Sequence, residues 1–231
     1  MFDFHTHILP AIDDGSKSVE MSLQMIRELA RQGVTGIAST SHFYADQNSP
    51  VEFLKRRQTS WEALRPALDA SIPPIRLGAE VHYFDGIEKN PDIPRLRISG
   101  TKILLLEMPA SKWPRRVVNS VVDLNHNGGI TVMLAHIERY IDLNERDIWD
   151  YFLDNDIVMQ VSCEFFTDKH TRRQAIRMLE AGRIHVLGTD SHNMQSRKPN
   201  FGPCMEFIRK KLGNDAIRRM EYIEDRLLNE T

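Results

Sequence analysis

A chain of 231 residues, 41% of them hydrophobic, is long enough to bury a large core as one α/β barrel or as two small domains. Its 30 Lys+Arg and 32 Asp+Glu nearly cancel, so charge makes no case for a nucleic-acid partner. Cys163 and Cys204 are no disulfide framework and fit a reducing compartment. No stretch has the make-up of a secretory leader or the ~18 apolar residues of a spanning helix, so a cytoplasmic location is expected.

The first apolar run, Phe2–His5, reads as a strand. Val19, Leu23, Ile26 and Ala30 then recur at steps of four, three and four, the stripe of an amphipathic helix, and Gly33 supplies its stop. Thr35–Thr40 reads as the second strand, 51–69 as a helix, Ile75–Ala79 as the third strand and Lys102–Leu106 as the fourth. Helices over 112–127, 145–155 and 171–182 lead in turn to strands Thr131–Ala135, Val158–Val161 and Val186–Gly188. Helices over 203–212 and 214–228 follow. With no repeat, low-complexity segment or long Gly/Ser linker, 1–231 reads as a single domain. Strand-helix alternation implies a parallel sheet. Seven repeats without a Gly-rich dinucleotide signature favour a closed or nearly closed barrel, with an open doubly wound sheet as the alternative.

Almost every one of these strands ends in an ionisable residue. His5 and His7 stand two apart at the end of the first, so a strand aims both imidazoles at one point. The second strand is followed by His42, the third by Glu80, the fourth by Glu107, the fifth by His136, and the last by Asp190 and His192. Asp14 lies on the first loop. In a parallel barrel the strand C-termini share one face, where sites are built. Nine imidazole and carboxylate groups without a thiolate suit borderline-to-hard divalent ions such as Mn, Fe or Zn. They exceed the needs of one ion, so two or three ions are implied, with Glu80 a candidate bridge.

The ordered motifs HTHILPAIDDG, STSH, GAE, LLLEMP, AHIERY and TDSHN resemble the polymerase and histidinol phosphatase (PHP) superfamily. Within it they look like the bacterial tyrosine phosphatases of capsular and exopolysaccharide synthesis operons, the CpsB/YwqE type. The resemblance spans nearly the whole chain. It implies the PHP fold, a distorted TIM-like (βα)7 barrel, with a trinuclear centre of Mn or Fe. By resemblance, His5, His7, Glu80 and Asp190 would hold one ion. Glu80, Glu107 and His136 would hold a second, and Asp14, His42 and His192 a third. Arg139 and Arg197 match the two arginines that would grip a phosphoryl group. The implied activity is metal-dependent phosphotyrosine hydrolysis, the implied partner a bacterial tyrosine kinase. Where the family often has an Asn-Ser pair, this chain reads Gln160-Val-Ser162-Cys163-Glu164, a departure that bears on the substrate.

A phenolate, with a pKa of about 10, leaves without much acid help. Asp13 and His82 are the residues placed to give a proton, although each reads more simply as a bystander. Thiol-based tyrosine phosphatases need an Arg six positions after the Cys, where Cys163 and Cys204 meet Lys169 and Lys210. Both thiols therefore read as packing residues, and His126, His170 and His185 as structural or surface groups. Three alternatives stand beside this reading. One is a small-molecule phosphatase of the histidinol-phosphatase kind. Another is an amidohydrolase, disfavoured because Lys102 begins its strand, away from the site face. The third is a metal-stabilised binding module without turnover. The Arg-rich segments Ile208–Leu212 and Ala216–Arg219 offer a surface for a second copy.

Overall fold

The strands of the computed structural model, which describes residues 1–127 and 129–229, are all parallel. In chain order they are β1 (Phe2–Thr6), β2 (Gly36–Ser39), β3 (His42–Phe43), β4 (Ile75–Leu77), β5 (Glu80–His82), β6 (Ile103–Glu107), β7 (Thr131–Leu134), β8 (Val158–Ser162) and β9 (Val186–Gly188). The helices are α1 (Val19–Arg31), α2 (Pro50–Leu64), α3 (Arg115–Asn127), α4 (Arg146–Asp154), α5 (Glu164–Thr167), α6 (Arg172–Glu180) and α7 (Phe201–Asn229). One sheet has the order β1-β2-β4 and the other β3-β5-β6-β7-β8-β9. They join into one ring. β2 continues into β3, and β4 into β5, after short breaks. At the seam, the Asp190 N–H donates to the His5 carbonyl at 2.8 Å and the His7 N–H to the Ser191 carbonyl at 3.0 Å, which returns the segment after β9 to β1. The result is a distorted barrel with seven strand positions.

The two breaks are departures from the expected strands Thr35–Thr40 and Ile75–Ala79. The Thr40 N–H still bonds the Thr6 carbonyl at 2.8 Å, but the Thr40 and Ser41 carbonyls both accept the Glu80 N–H, at 3.1 and 3.0 Å. The second strand thus steps from β1 towards β5. Beyond the step, His42 and Glu80 are register partners, and so are His82 and Glu107. Side chains of partnered residues leave the sheet together.

β1 carries a second irregularity. Its pairing with β2 advances three residues, Asp3 to Thr6, against two, Ile37 to Ser39. Phe2 and Phe4 pack in the inner cluster with Ala38, Ile103, Leu105, Met133 and Val186. In an unbroken strand His5 and His7 would then face away from that interior. The extra residue reverses the alternation and turns both imidazoles inward, a common use of a bulge beside a site.

β6 shows the two sides of the wall. Ile103 and Leu105 enter the inner cluster, while Leu104 and Leu106 pack outward among helix residues such as Met25, Leu29, Phe53 and Val118. Ser18 caps α1 by accepting the Met21 N–H at 3.3 Å. A Ser49–Glu52 capping box starts α2. α2 ends at Leu64 rather than at 69, because Pro66 has no N–H to extend it and a tighter turn over Arg65–Ala67 follows. The expected helices over 203–212 and 214–228 are the halves of α7, which breaks at Gly213 with φ 73°. α5, a single turn after β8, was not expected from periodicity.

Glu224 on α7 is buried, and its Oε2 accepts the Phe2 N–H at 3.0 Å where β1 begins. Burial pushes its carboxyl up to about 7 from an ordinary 4.5. The folded state therefore holds this proton more tightly than the unfolded chain. The stability this lends is present below the unfolded pKa and is lost as pH rises through about 7. In Glu224→Gln the amide oxygen still accepts the bond, and the pH dependence goes. Denaturant titrations at about pH 5 and about pH 8 should show wild type losing roughly 2 kcal/mol more than the variant. Equal losses would remove Glu224 from this role.

Candidate metal centre

The nine strand-end residues meet at one mouth of the barrel. His5 and His7 come from the end of β1 and the residue after it, His42 from β3, Glu80 from β5 and Glu107 from β6. His136 follows β7, Asp190 and His192 follow β9, and Asp14 lies on the β1–α1 loop. Four overlapping sets have ligand atoms within 4.8 Å of one another: His7, Asp14, His42 and His192; His5, His7 and Asp190; His5, Glu80 and His136; His42, Glu80 and Glu107. Glu80 is central. Its Oε2 lies 3.1 Å from His5 Nε2, 3.2 Å from His7 Nε2 and 2.9 Å from His42 Nδ1, and its Oε1 lies 2.8 Å from His136 Nε2. Asp190 Oδ1 is 3.5 Å from both His5 Nε2 and His7 Nε2. Asp14 Oδ1 is 3.3 Å from His42 Nε2 and from His192 Nε2. His42 thus faces two carboxylates, one through each ring nitrogen.

The backs of the rings decide what their front nitrogens present. His5 Nδ1 faces Gln160 Oε1 at 3.3 Å, His7 Nδ1 faces Asp13 Oδ2 at 2.9 Å, and His192 Nδ1 faces the Asp190 carbonyl at 2.9 Å. These oxygens only accept, so each Nδ1 carries a hydrogen, and it is Nε2 that turns to the front, where a ring free of a second proton offers a lone pair. His5 Nε2 and His7 Nε2 then face each other at 3.1 Å, beside two carboxylates. His42 Nδ1, Glu80 Oε2, Asp190 Oδ1 and His192 Nε2 are all buried without a hydrogen-bond partner. Lone pairs and negative charge converging without donors is the electrostatic pattern that a cation relieves, and the N/O donor set fits divalent transition ions.

Protonation follows the same field. Burial works against charge on His5 and His7, yet Glu80, Asp190 and Asp13 raise the proton affinity of these rings. Burial pushes Glu80 and Asp190 up, but the surrounding imidazoles hold both well below the usual carboxylate range. His192 is driven down to about 4 by burial and by His7.

The backbone bends to make this arrangement. His136 and Asp190 both take left-handed conformations, with φ of 34° and 51°. Such conformations are uncommon for non-glycine residues; among the described residues Ala11 and Asp156 also adopt them. Gly188 lets β9 approach β1: a Cβ there would lie 2.5 Å from His5 Cβ and 3.1 Å from the His5 nitrogen. A Cβ on Gly15 would lie 2.4 Å from the His7 carbonyl oxygen.

Arg139 and Arg197 stand at the rim, and each places one Nη2 2.6 Å from the same oxygen, Asp190 Oδ2. Asp190 thus faces the cluster with one oxygen and anchors both guanidiniums with the other. Asp13 is placed differently from a proton donor. It sits behind His7 and also accepts the Gly15 N–H at 2.9 Å and the His42 N–H at 3.0 Å. Despite its burial, those bonds and the His7 ring depress its pKa, so it has no proton to give. His82 meets Glu107 Oε2 through Nδ1 at 3.1 Å, outside the four sets, with Tyr44 5.6 Å away ring to ring. Cys163 and Cys204 are buried. His126 and His170 are exposed, and His185 Nδ1 accepts the Met159 N–H at 3.0 Å, far from the mouth in the wall that β8 and β9 share.

Two contributors escaped sequence reasoning. Gln160, buried in β8, faces His5 with the same Oε1 that accepts the His136 N–H at 2.8 Å. Tyr140 places its hydroxyl 3.2 Å from His136 Nδ1. A glutamine inside the apolar run Val158–Val161 was the available signal for the first.

The family model described as capsular polysaccharide synthesis, CpsB/CapC, matches residues 1–227. The chain is 32% identical to the tyrosine-protein phosphatase CpsB of Streptococcus pneumoniae, over 95% of this chain and 94% of that one. It is 28% identical to the tyrosine-protein phosphatase YwqE of Bacillus subtilis (strain 168), over 93% of this chain and 86% of that one. A solved structure described as YwqE from Bacillus subtilis and CpsB from Streptococcus pneumoniae, unique metal-dependent tyrosine phosphatases, superposes with a TM-score of 0.85 at 24% identity, covering 100% of this chain and 96% of the other. A barrel of the same build and a family match over nearly its whole length establish that this chain belongs to the CpsB/CapC family of capsular polysaccharide synthesis.

Proposed function

We propose that this protein is a metal-dependent tyrosine phosphatase that hydrolyses phosphotyrosine on a protein substrate and so regulates capsular or exopolysaccharide synthesis. The observation that carries the reading is the meeting, at one barrel mouth, of unpartnered buried acid and imidazole atoms with two rim arginines. The kinship to CpsB and YwqE supports the substrate class. His5, His7, Asp14, His42, Glu80, Glu107, His136, Asp190 and His192 are the proposed ligands. Two or three ions are proposed, with Mn favoured and Fe or Zn compatible with the same donors.

When bound, clustered divalent ions supply Lewis acidity and a water of lowered pKa. The chain's own part is positional. Phosphoryl transfer passes through a loose transition state, in which placement and positive charge do most of the catalysis. Arg139 and Arg197, each held by Asp190 through one nitrogen, have further N–H groups for phosphoryl oxygens, and a guanidinium suits two parallel bonds. Asp13, Gln160 and the Asp190 carbonyl hold a hydrogen on each Nδ1 and so orient the rings with Nε2 towards the site, as partners behind ligating histidines do. The phenolate leaving group, with a pKa of about 10, needs little acid assistance. The proposed partner is a bacterial tyrosine kinase, or its phosphorylated tail, in the cytoplasm. No helix among the described residues is long and apolar enough to cross a membrane.

Removal of metal by chelation should abolish hydrolysis of p-nitrophenyl phosphate and of phosphotyrosine peptides, and added Mn should restore both. A metal-loaded protein that leaves both untouched contradicts the assignment. Asp13→Asn keeps an acceptor behind His7 but removes its charge. Titration of the metal-free variant should show affinity for Mn lowered by about 10–100-fold, and unchanged affinity would mean that Asp13 has only a loop-closing role.

A further inference from the structure

The rim of the mouth closes on itself as a circuit of contacts. Asp190 Oδ2 holds Arg139 and Arg197, each at 2.6 Å. From Arg139 the rim passes to Glu107, 3.8 Å away, and from Glu107 to His82 at 3.1 Å. From Arg197 it passes to Asp14, 3.8 Å away, and from Asp14 to His42 at 3.3 Å. Tyr44 completes it, with its ring centroid 5.4 Å from that of His42 and 5.6 Å from that of His82. Tyr44 and His82 therefore stand across the mouth from Asp190 and its two arginines.

The strands put them there. Tyr44 follows β3, two residues past the ligand His42, and His82 ends β5, two residues past the ligand Glu80. A two-residue step returns a side chain to the same side of a strand, so both project with the ligands. β3 and β5 pair with His42 opposite Glu80 and Phe43 opposite Val81. One further step of that register sets Tyr44 beside His82.

Burial pushes the Tyr44 hydroxyl up to about 12, and the charges of Glu107, Glu80, Asp14 and Asp13 push it the same way. Its phenol end thus feels carboxylates from both sides of the cluster. Neither Tyr44 nor His82 belongs to the four ligand sets. Both remain open to a ligand, since Tyr44 is half-buried and the His82 side chain is 40% exposed. Their rings meet at 46°, a tilted contact that leaves room for a third ring against them.

The two sides of the mouth offer different chemistry. Guanidiniums suit phosphoryl oxygens. Aromatic rings suit another ring, in offset or edge-to-face contact that gains more than buried area alone. In an aryl phosphate a single oxygen joins the ring to phosphorus. A phosphoryl group held at the cluster by the arginines therefore keeps its ring at the rim.

We propose that Tyr44 and His82 form the wall that receives the aromatic ring of the substrate, and so select aryl over alkyl phosphates. The proposal rests on the phosphatase reading and adds specificity-determining residues to it.

The test measures calorimetric affinity of the Mn-loaded protein for benzylphosphonate and cyclohexylmethylphosphonate. The two share the anion and the linker and differ only in the ring. An apolar wall without aromatic preference would favour the saturated ring, which is the more hydrophobic. Wild type should bind benzylphosphonate about three-fold or more tighter. Tyr44→Leu should abolish that preference and Tyr44→Phe should keep it. Inorganic phosphate, which has no ring, reports whether the anion seat survives each substitution. If Tyr44→Leu does not fold or loses phosphate, Tyr44→Ile serves the same comparison. Equal affinities in wild type, or a preference that persists without the Tyr44 ring, overturn the aromatic wall alone. Failure of phosphate and both phosphonates to bind wild type, with p-nitrophenyl phosphate left intact, brings down the phosphatase reading and this proposal with it.

Discussion

The mouth of the barrel is built around an electrostatic debt. Glu80 is buried with imidazoles on four sides, and the hydrogen bonds behind His5 and His7 turn their lone pairs towards it and towards each other. Without a cation, this arrangement concentrates negative charge and lone pairs around a largely buried Glu80, with Asp14 at its exposed edge. Divalent cations there would give partners to His42 Nδ1, Glu80 Oε2, Asp190 Oδ1 and His192 Nε2. The seam of the barrel runs through the same residues, since His5 and Asp190 exchange the closing hydrogen bond and also offer ligand atoms. Metal binding and barrel closure are therefore expected to stabilise each other.

Around that centre the chain spends local strain to place side chains. The β1 bulge turns His5 and His7 inward, and the breaks before His42 and Glu80 bring these two side by side. The left-handed residues His136 and Asp190 end their strands abruptly at the mouth. None of these is a preferred backbone choice, and each sits at a residue of the cluster. The barrel below, packed with Phe4, Leu105, Met133 and Val186, supplies the rigid base that makes such placements affordable.

Much of this was legible before the structure. Strand ends in a parallel barrel share a face, so residues as distant as His5 and His192 could be grouped from their positions alone. The gap between two helical patterns at Gly213 likewise marked a real break. What stayed hidden depends on exchanges between strands that a linear pattern does not encode. The bulge in β1 is visible only in its pairing with β2. Spacing two apart gave the right conclusion for His5 and His7, but an unbroken strand would have sent them away from Phe4. Asp13 could be read as a proton donor because its neighbour His7 was read only as a ligand, not as a ring needing a partner behind it. Gln160 stood out only as a polar residue in an apolar strand, and the two histidines it serves come from other strands, so its partners were not legible locally.

The most direct measurement is an elemental count on freshly purified protein, set against Glu80→Gln. Wild type should carry about two to three equivalents of a divalent transition ion per chain, and the variant markedly fewer, because its amide brings no charge to the ions around it. Less than one equivalent in wild type, with reconstitution by Mn, Fe and Zn also failing, would contradict the central claim that these nine groups are arranged around cations.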